Sequence, residues 1–437
     1  MSSVVEVKLW GTTIGYLGYK DDSNIAHFEY TEAFMKAPVY ISPLVMKHPP
    51  AKHYFDAISF RTFKGVAGVF ADSLPDKFGN QLIDQFMAKK QIVASDVTTL
   101  DRLLYIGNRG MGAIEYHPYA LDNSNTEQMA LDLTTLAELA QMVVENKEVL
   151  QSKLNNAQTR EDALSLIRVG SSAGGARSKA LVVQKEDGKL YDGTLLYDEP
   201  CTYWLLKFDS LGNRDRDHED PKGMTKVEYI YSLIAKACDI EIPRTNYIQS
   251  GDDFHFMIER FDRQYNDEKS SKLHYVSWAG LAHFDRDTTG AYSYEQLVLT
   301  VRSMNLGQGA VTEVFKRAVF NIVGRNQDDH TKNFGFLMDK SGRWRLSPAF
   351  DLTYSYDPTG KWTKVHQLKL NNKQDNFSRE DIIAFGRYCN LSKAKSIEIL
   401  KSTQAHFASF DTLAQEYGVD DGLREMILQS LRFGLYL

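Results

Sequence analysis

Asn326-Gln327-Asp328-Asp329-His330-Thr331-Lys332-Asn333 is the stretch on which the reading of the fold turns. It gathers two carboxylates, an imidazole, an ammonium and several amides in one polar run. An apolar stripe precedes it: Phe315, Ala318, Val319 and Ile322 stand at i, i+3, i+4 and i+7, which predicts one buried face of a helix. After it, Phe334 to Met338 and Trp344 to Leu346 flank Asp339-Lys340-Ser341-Gly342, a hairpin signal. Ser347-Pro348-Ala349-Phe350-Asp351 comes next. An isolated charge run reads as a solvated loop; the order helix, polar loop, hairpin, carboxylate gives this one a chemical reading.

Phosphoryl transfer needs a carboxylate to orient and deprotonate the attacking hydroxyl, and hard oxygen ligands for a Mg²⁺ that bridges phosphates. In protein kinases the catalytic loop follows a helix, carries Asn five residues after Asp, and precedes a hairpin that leads to a metal-binding Asp. Asp328 and Asn333 are five apart, and Asp351 follows the hairpin. Asp328 therefore suits the base, Asn333 and Asp351 the metal ligands, and Lys332 the neutralisation of charge developing on the transferred group. Asp329 gives a spacing of four and fits the base less well. The pattern departs from protein kinases in lacking His-Arg-Asp, and Asp351-Leu352-Thr353 is not Asp-Phe-Gly.

Upstream, Gly170-Ser171-Ser172-Ala173-Gly174-Gly175-Ala176-Arg177-Ser178-Lys179 lies between two runs that read as strands, Ser165 to Val169 and Lys179 to Val183. Small residues leave backbone N–H groups open to phosphates. The segment matches neither Walker A nor G-x-G-x-x-G, and a flexible hairpin loop explains it equally well. Lys207 ends the apolar strand Tyr203-Trp204-Leu205-Leu206. It reads either as an edge lysine reaching water or as a phosphate ligand with Glu228 on the next helix as partner. Glu259, in Met257-Ile258-Glu259-Arg260-Phe261-Asp262, stands where its backbone can meet an adenine ring with Phe261 nearby, or is an ordinary strand-end charge.

Composition narrows the classes. The 437 residues allow two to four domains or subdomains, and 43% hydrophobic with 25% charged residues excludes a largely disordered chain. A formal charge of −6 argues against nucleic-acid binding through overall charge. Cys201, Cys238 and Cys389 are widely spaced, with no C-x-x-C, so they predict core thiols rather than a disulfide framework or a zinc site. No signal-peptide pattern opens the sequence and no 18 apolar residues run together, so a cytoplasmic protein with no membrane span is expected.

Alternation predicts a strand at Val4 to Leu9, a second run follows at Ile14 to Leu17, and Phe28 to Tyr30 suggests a third. Thr202 to Phe208 and Phe254 to Phe261 are further strand candidates, while Leu103 to Gly112 is a turn-rich stretch before Ala113 to Tyr116. Tyr54 to Met87 reads as helix broken near Leu74-Pro75-Asp76, Thr135 to Glu138 as a capping box, and Lys226 to Cys238 as a helix burying Val227, Ile230, Tyr231 and Ile234. Asn123 to Glu127 is a polar connector, and amphipathic helices run from Arg379 to the C-terminus. The expected division is an N-terminal α/β subdomain at 1–122, a linker helix with a nucleotide-binding region at 123–265, and a mostly helical lobe at 266–437. The fold class is α+β.

In series, glycine loop, strand lysine, helix glutamate, hinge strand, Asp-x₄-Asn, hairpin and Asp follow the order of a kinase, and the chain resembles the HipA family of serine/threonine kinase toxins over nearly its whole length. Asp328-Asp329-His330-Thr331-Lys332-Asn333-Phe334 is similar to the family's D-x-H-x-K-N-F loop, and Pro348-Ala349-Phe350-Asp351 to its metal-binding segment. Glu259-Arg260-Phe261-Asp262-Arg263 resembles its E-R-F-D-R hinge, and Gly170 to Lys179 its phosphate loop, S-x-x-G-x-x-x-K. Leu74-Pro75-Asp76 and Gly107 through Ala113 resemble its N-terminal subdomain. The resemblance implies a protein-kinase-like two-lobed fold with an extra N-terminal α/β subdomain and a helical C-terminal lobe, ATP and Mg²⁺ in the cleft, Asp328 as base, and Asn333 with Asp351 as Mg²⁺ ligands. It implies nucleotide contacts from Ser172, Gly174, Gly175, Lys179, Lys207, Glu259, Phe261 and His330. It implies autophosphorylation at Ser172, seven residues before Lys179, with Ser171 adjacent. The implied partners are a HipB-like helix-turn-helix antitoxin, DNA through that antitoxin, and a protein substrate such as an aminoacyl-tRNA synthetase.

Two other classes compete. A pseudokinase scaffold for an antitoxin–DNA complex needs a missing chemical part, and Asp328, Asn333, Asp351, Lys207 and Lys179 are all present. A metal-dependent hydrolase using Asp328, His330 and Asp351 usually adds H-x-H or H-E-x-x-H, and neither occurs.

Overall fold

Strict alternation builds the first sheet. In β1 (Val4–Leu9), Val5, Val7 and Leu9 are buried while Glu6 and Lys8 are partly exposed. With β2 (Thr12–Tyr19), β3 (Ala26–Tyr30), β4 (Lys52–Tyr54) and β5 (Ile114–His117) it forms a five-stranded antiparallel sheet in the order β4-β3-β2-β1-β5. The register sets Glu6 opposite Tyr16 and Val7 opposite Tyr116. The computed structural model describes residues 4–19, 23–89, 91–118, 130–145, 160–170, 178–209, 221–266 and 269–436. The polar connector Asn123 to Glu127 and the glycine-rich residues 171–177 lie outside them.

The chain divides into two compact units. The first takes Met1–Asn213, Met257–His283 and Leu337–Arg343; the second takes Arg214–Phe256, Phe284–Phe336 and Trp344–Leu437.

In the first unit the span from Tyr54 to Met87 departs from the expected helix. Tyr54 closes the edge strand β4, and the helical part falls into Phe60–Phe63, Gly68–Ala71 and α1 (Lys77–Lys89). The break at Leu74-Pro75-Asp76 is as expected; a further break comes where Lys64 and Gly65 take φ of 54° and 80°. Ser165 to Val169 is not a strand. It belongs to α2 (Arg160–Gly170), whose Ala163, Leu166, Ile167 and Gly170 are buried at helical spacing. Five residues are too few to separate the two periods. The capping box at Thr135 also moves: the helix Leu133–Glu145 begins earlier, and Asp132 accepts the Thr135 N–H at 2.7 Å.

Next come β6 (Lys179–Lys185), β7 (Leu190–Asp192) and β8 (Cys201–Lys207), antiparallel in the order β7-β6-β8. In the second unit α3 (Met224–Ala237) buries Val227, Ile230, Tyr231 and Ile234 as its spacing predicts. β9 (Thr245–Ser250) and β10 (Asp253–Glu259) follow, the last three residues of β10 counting with the first unit. β11 (Arg263–Asn266) pairs with β12 (Lys269–Lys272), and β13 (His274–Ser277) precedes a short helix.

The second unit is built around α4 (Gly307–Val323). Phe315, Ala318, Val319 and Ile322 are fully buried, as the stripe requires. Beyond it, β14 (Gly335–Met338) and β15 (Trp344–Leu346) are neighbours, closed by the Asp339 N–H on the Arg343 carbonyl at 3.2 Å. Four helices from Arg379 to Ser430 complete this unit. Among the described residues no helix is long and apolar enough to cross a membrane.

Candidate active site

The polar loop begins where α4 stops. Arg325 takes a positive φ of 54°, reversing the chain, and the Asn326 N–H bonds back to the Asn321 carbonyl at 3.0 Å. The Asn326 side chain then ties two segments together. Its Nδ2 donates to Asn321 Oδ1 at 3.0 Å and to the Asp351 carbonyl at 3.3 Å, while its Oδ1 accepts from Ser355 Oγ at 3.1 Å. Ser355 Oγ in turn accepts the Asp328 N–H at 2.9 Å. The loop that carries Asp328 and the segment that carries Asp351 are thus fixed to each other through Asn326 and Ser355. Nothing in the local spacing of either residue marks this role.

The two adjacent aspartates have opposite environments. Asp329 is 1% exposed. Its Oδ2 accepts from Tyr294 Oη at 2.7 Å and His366 Nδ1 at 2.8 Å, and its Oδ1 accepts the Gln367 N–H at 2.8 Å and the Leu368 N–H at 3.4 Å. Burial alone would raise its pKa, but the His366 ring and the other donors outweigh that and hold it below the ordinary value. The His366 Nε2 faces Arg432 at 3.0 Å, and Arg432 also bonds Asp375 and the Ile322 carbonyl. Because arginine can only donate, Nε2 accepts and Nδ1 carries the proton that Asp329 receives. Asp329 is the anchor that holds the loop to the C-terminal segment. Asp328, by contrast, leaves 48% of its side chain exposed, where a substrate hydroxyl can reach it.

The remaining loop residues are arranged around Asp328. Asn333 Nδ2 donates to the Asp328 carbonyl at 2.7 Å, which leaves the amide oxygen as its remaining side-chain acceptor. His330 caps the short turn Thr331–Asn333, its Nδ1 accepting the Lys332 N–H at 3.2 Å. Its Nε2 stands 3.9 Å from Asp328 Oδ1. Burial pushes the His330 pKa down; Asp328 and Asp351 pull it up, and Arg286 and Lys332 push it down again, with the net shift downward. Asp351 holds a positive φ of 52°, a conformation that costs a non-glycine residue about 1 kcal/mol or more and that recurs at functional sites. The Asp351 carboxylate and the Asn333 amide oxygen are hard oxygen donors of the kind Mg²⁺ takes, and two such donors leave coordination positions for phosphate oxygens and water.

The first unit holds the two lysines. Lys179 and Lys207 are direct cross-strand partners in β6 and β8. The Phe208 N–H bonds the Ser178 carbonyl at 3.1 Å, so the Lys179–Lys207 pair is the non-hydrogen-bonded one, in which side chains come closest. Lys179 is buried and reaches Asp76 Oδ2 at 2.8 Å. Ser171, Ser172, Gly174 and Gly175 lie outside the described residues. Glu228 is buried on α3 in the second unit.

Glu259 is the last residue of β10, and the Phe261 ring stands 5.6 Å from that of Tyr275. The charged residues around them form a buried network. Asp262, fully buried, bonds Arg260 at 2.9 and 3.0 Å, Arg263 at 2.6 Å and the Gly112 N–H at 2.7 Å. Burial opposes its charge, but the two guanidinium groups outweigh it and hold its pKa at about 2. Arg263 also reaches the Gly110 and Gly112 carbonyls, at 3.1 and 3.2 Å. A Cβ on Gly112 would lie 2.9 Å from the Tyr275 nitrogen, and its φ is 78°, so only glycine fits there. The arginines and aspartate that follow Glu259 are therefore a clamp on the Gly110–Gly112 turn.

Residues 5–117 match the family described as the HipA N-terminal domain, and residues 171–413 match the HipA-like C-terminal domain. A Haemophilus influenzae protein named "Putative kinase" is 27% identical over 192 residues, which cover 38% of this chain and 53% of that protein. The match thus spans about half the length of that relative. Among solved structures, the Shewanella oneidensis complex of the toxin–antitoxin proteins HipA and HipB with operator DNA contains a chain with a TM-score of 0.66 at 17% identity, covering 97% of this chain and 94% of that one. That likeness is one of fold.

Proposed function

The chain belongs to the HipA family of toxins and has its kinase-like α+β fold, and from that premise we propose that it is an ATP- and Mg²⁺-dependent serine/threonine protein kinase. The observation that carries this reading is the contrast in the polar loop: Asp329 is sealed in the core while its neighbour Asp328 is half exposed on a loop pinned to the Asp351 segment. A buried anchor beside an accessible carboxylate suits a base that must be placed but must also be reached.

In this reading Asp328 orients the substrate hydroxyl and takes its proton. Lys332 offsets charge on the transferred phosphoryl group, and Asn333 Oδ1 and Asp351 would hold Mg²⁺. An ion held there would supply positive charge against the phosphate oxygens. Lys179 and Lys207 supply paired positive charge for ATP phosphates, with Ser172, Gly174 and Gly175 as backbone donors. The Glu259 backbone meets the adenine, Phe261 packs nearby, and His330 lies beside the nucleotide. Ser172 is the autophosphorylated residue. The division at 122/123 and 265/266 belongs to the same reading. So do a HipB-like antitoxin, DNA reached through it, and a protein substrate such as an aminoacyl-tRNA synthetase in the cytoplasm.

A thermal scan tests the ligand assignment. ATP with Mg²⁺ at about 100 times its Kd adds about 2.7 kcal/mol, which raises the midpoint by several degrees. Stabilisation by a transition metal alone, with none from ATP and Mg²⁺, would replace the kinase with a metallohydrolase.

A further inference from the structure

Asp76 lies in the N-terminal α/β region, 103 residues before Lys179. Its two carboxylate oxygens do different things. Oδ1 accepts the Gly79 N–H at 2.6 Å and, with the Asp76 carbonyl accepting from the Asn80 N–H at 2.8 Å, starts α1. Oδ2 holds the Lys179 ammonium at 2.8 Å. Both side chains are nearly enclosed, 2% exposed for Lys179 and 8% for Asp76. The same helix also receives the other end of the glycine-rich stretch. A Cβ on Gly170 would lie 2.9 Å from Leu82 and 3.2 Å from both Phe78 and the Lys179 carbonyl. Gly170 and Lys179, the residues on either side of the glycine-rich sequence, are therefore both seated against α1 or its cap.

This arrangement has an electrostatic reason. Lys179 and Lys207 are opposed in the closest kind of cross-strand pair, and like charges there repel. A carboxylate that binds one ammonium from the side lowers that repulsion and fixes its direction. A lysine side chain has many rotamers to lose, so an ammonium held by a rigid helix cap is aimed before ligand arrives.

We propose that Asp76 is a positioning residue of the nucleotide site: it acts through Lys179, so the N-terminal subdomain aims the lysine that meets the ATP phosphates. The proposal rests on the assignment of Lys179 to ATP. If releasing Lys179 leaves it correctly aimed in about one molecule in ten, the apparent ATP affinity falls about tenfold.

The test is ATP binding with Mg²⁺, by equilibrium titration, in Asp76→Asn, Lys179→Met and the double variant. Asparagine is as good an N-cap as aspartate, so α1 keeps its start while the ion pair is lost. The expected result is about tenfold weaker ATP binding in each single variant, with the double variant no weaker than Lys179→Met. A structural role for Asp76 would instead multiply the two losses in the double variant, and that result overturns the proposal. Wild-type ATP affinity in Asp76→Asn, or tighter binding, overturns it while leaving the kinase reading intact. Wild-type affinity in Lys179→Met removes Lys179 from the ATP site and takes the proposal with it. Should Asp76→Asn fail to fold, Asp76→Glu replaces it: displacing the carboxylate by one methylene should weaken ATP binding several-fold, and unchanged binding there counts against the proposal in the same way.

Discussion

Replacing Asp329 by Asn should unfold the protein well before wild type, whereas the same change at Asp328 should leave stability almost untouched. The geometry sets the size of the difference. Each oxygen of Asp329 accepts two donors: Tyr294 Oη and His366 Nδ1 on one, the Gln367 and Leu368 N–H groups on the other. Whichever end the new NH₂ occupies, it faces two donors with none of its own bonds satisfied. His366 cannot relieve this by moving its proton, because its Nε2 is engaged by Arg432. Breaking a buried charged network in this way costs about 3–5 kcal/mol. At about 2–4 °C per kcal/mol for a unit of this size, the midpoint should fall by about 6–20 °C. The Asp328 carboxylate is 48% exposed, so its loss should stay within about 0.5 kcal/mol. Differential scanning calorimetry of Asp328→Asn and Asp329→Asn side by side is the assay. A midpoint within about 1 °C of wild type for Asp329→Asn would refute the anchor reasoning, and with it the argument by which burial chooses Asp328 over its neighbour as the base.

Asp351→Asn keeps size and removes charge, so the Mg²⁺ concentration needed for half-maximal transfer should rise about tenfold or more; an unchanged metal titration would exclude Asp351 as a ligand. His274 is buried and pushed down to about 4 from 6.5. The unfolded chain therefore binds the extra proton first as pH falls, and stability present above pH 6.5 should be lost progressively toward pH 4, by about 3 kcal/mol from this group. Urea midpoints that stay flat over that range would contradict the burial of His274. Incubation with ATP and Mg²⁺ should place phosphate on Ser172, or on the adjacent Ser171, and the added charge of about −1.5 to −2 should sharply lower ATP affinity relative to Asp328→Ala. Peptide mass spectrometry that finds this segment unmodified would remove autophosphorylation from the proposal and leave the kinase assignment in place.

The order of helix, polar loop and hairpin was legible because its signals are local: an apolar stripe at helical spacing, a polar run, a hairpin and Asp351 follow one another in order. Spacing alone placed Asp328 ahead of Asp329 as the candidate base, and the burial of Asp329 favours the same choice. The helix at Ser165 to Val169 was missed because a short apolar run has no distinguishable period. Its neighbours on the other side of the glycine-rich stretch do read correctly as β6. The start of the helix Leu133–Glu145 was displaced because Asp132 and Thr135 both carry side chains that can cap. The residues that hold the site were illegible for a different reason. Asn326 to Ser355, Asp329 to His366, His366 to Arg432 and Asp76 to Lys179 are contacts across 29, 37, 66 and 103 positions. No window-based pattern reaches so far. Arg260, Asp262 and Arg263 were visible only as part of a family motif, and their partner turn at Gly110–Gly112 only as another; their contact shows that the two motifs are one structural unit.

Transfer of the γ-phosphate from labelled ATP, measured with Mg²⁺ for wild type and for a folded Asp328→Ala variant, tests the central claim most directly. Wild type should show Mg²⁺-dependent transfer to protein serine or threonine, and the variant a loss of at least about 10² with its thermal midpoint preserved. Transfer at the wild-type rate by the folded variant would contradict it.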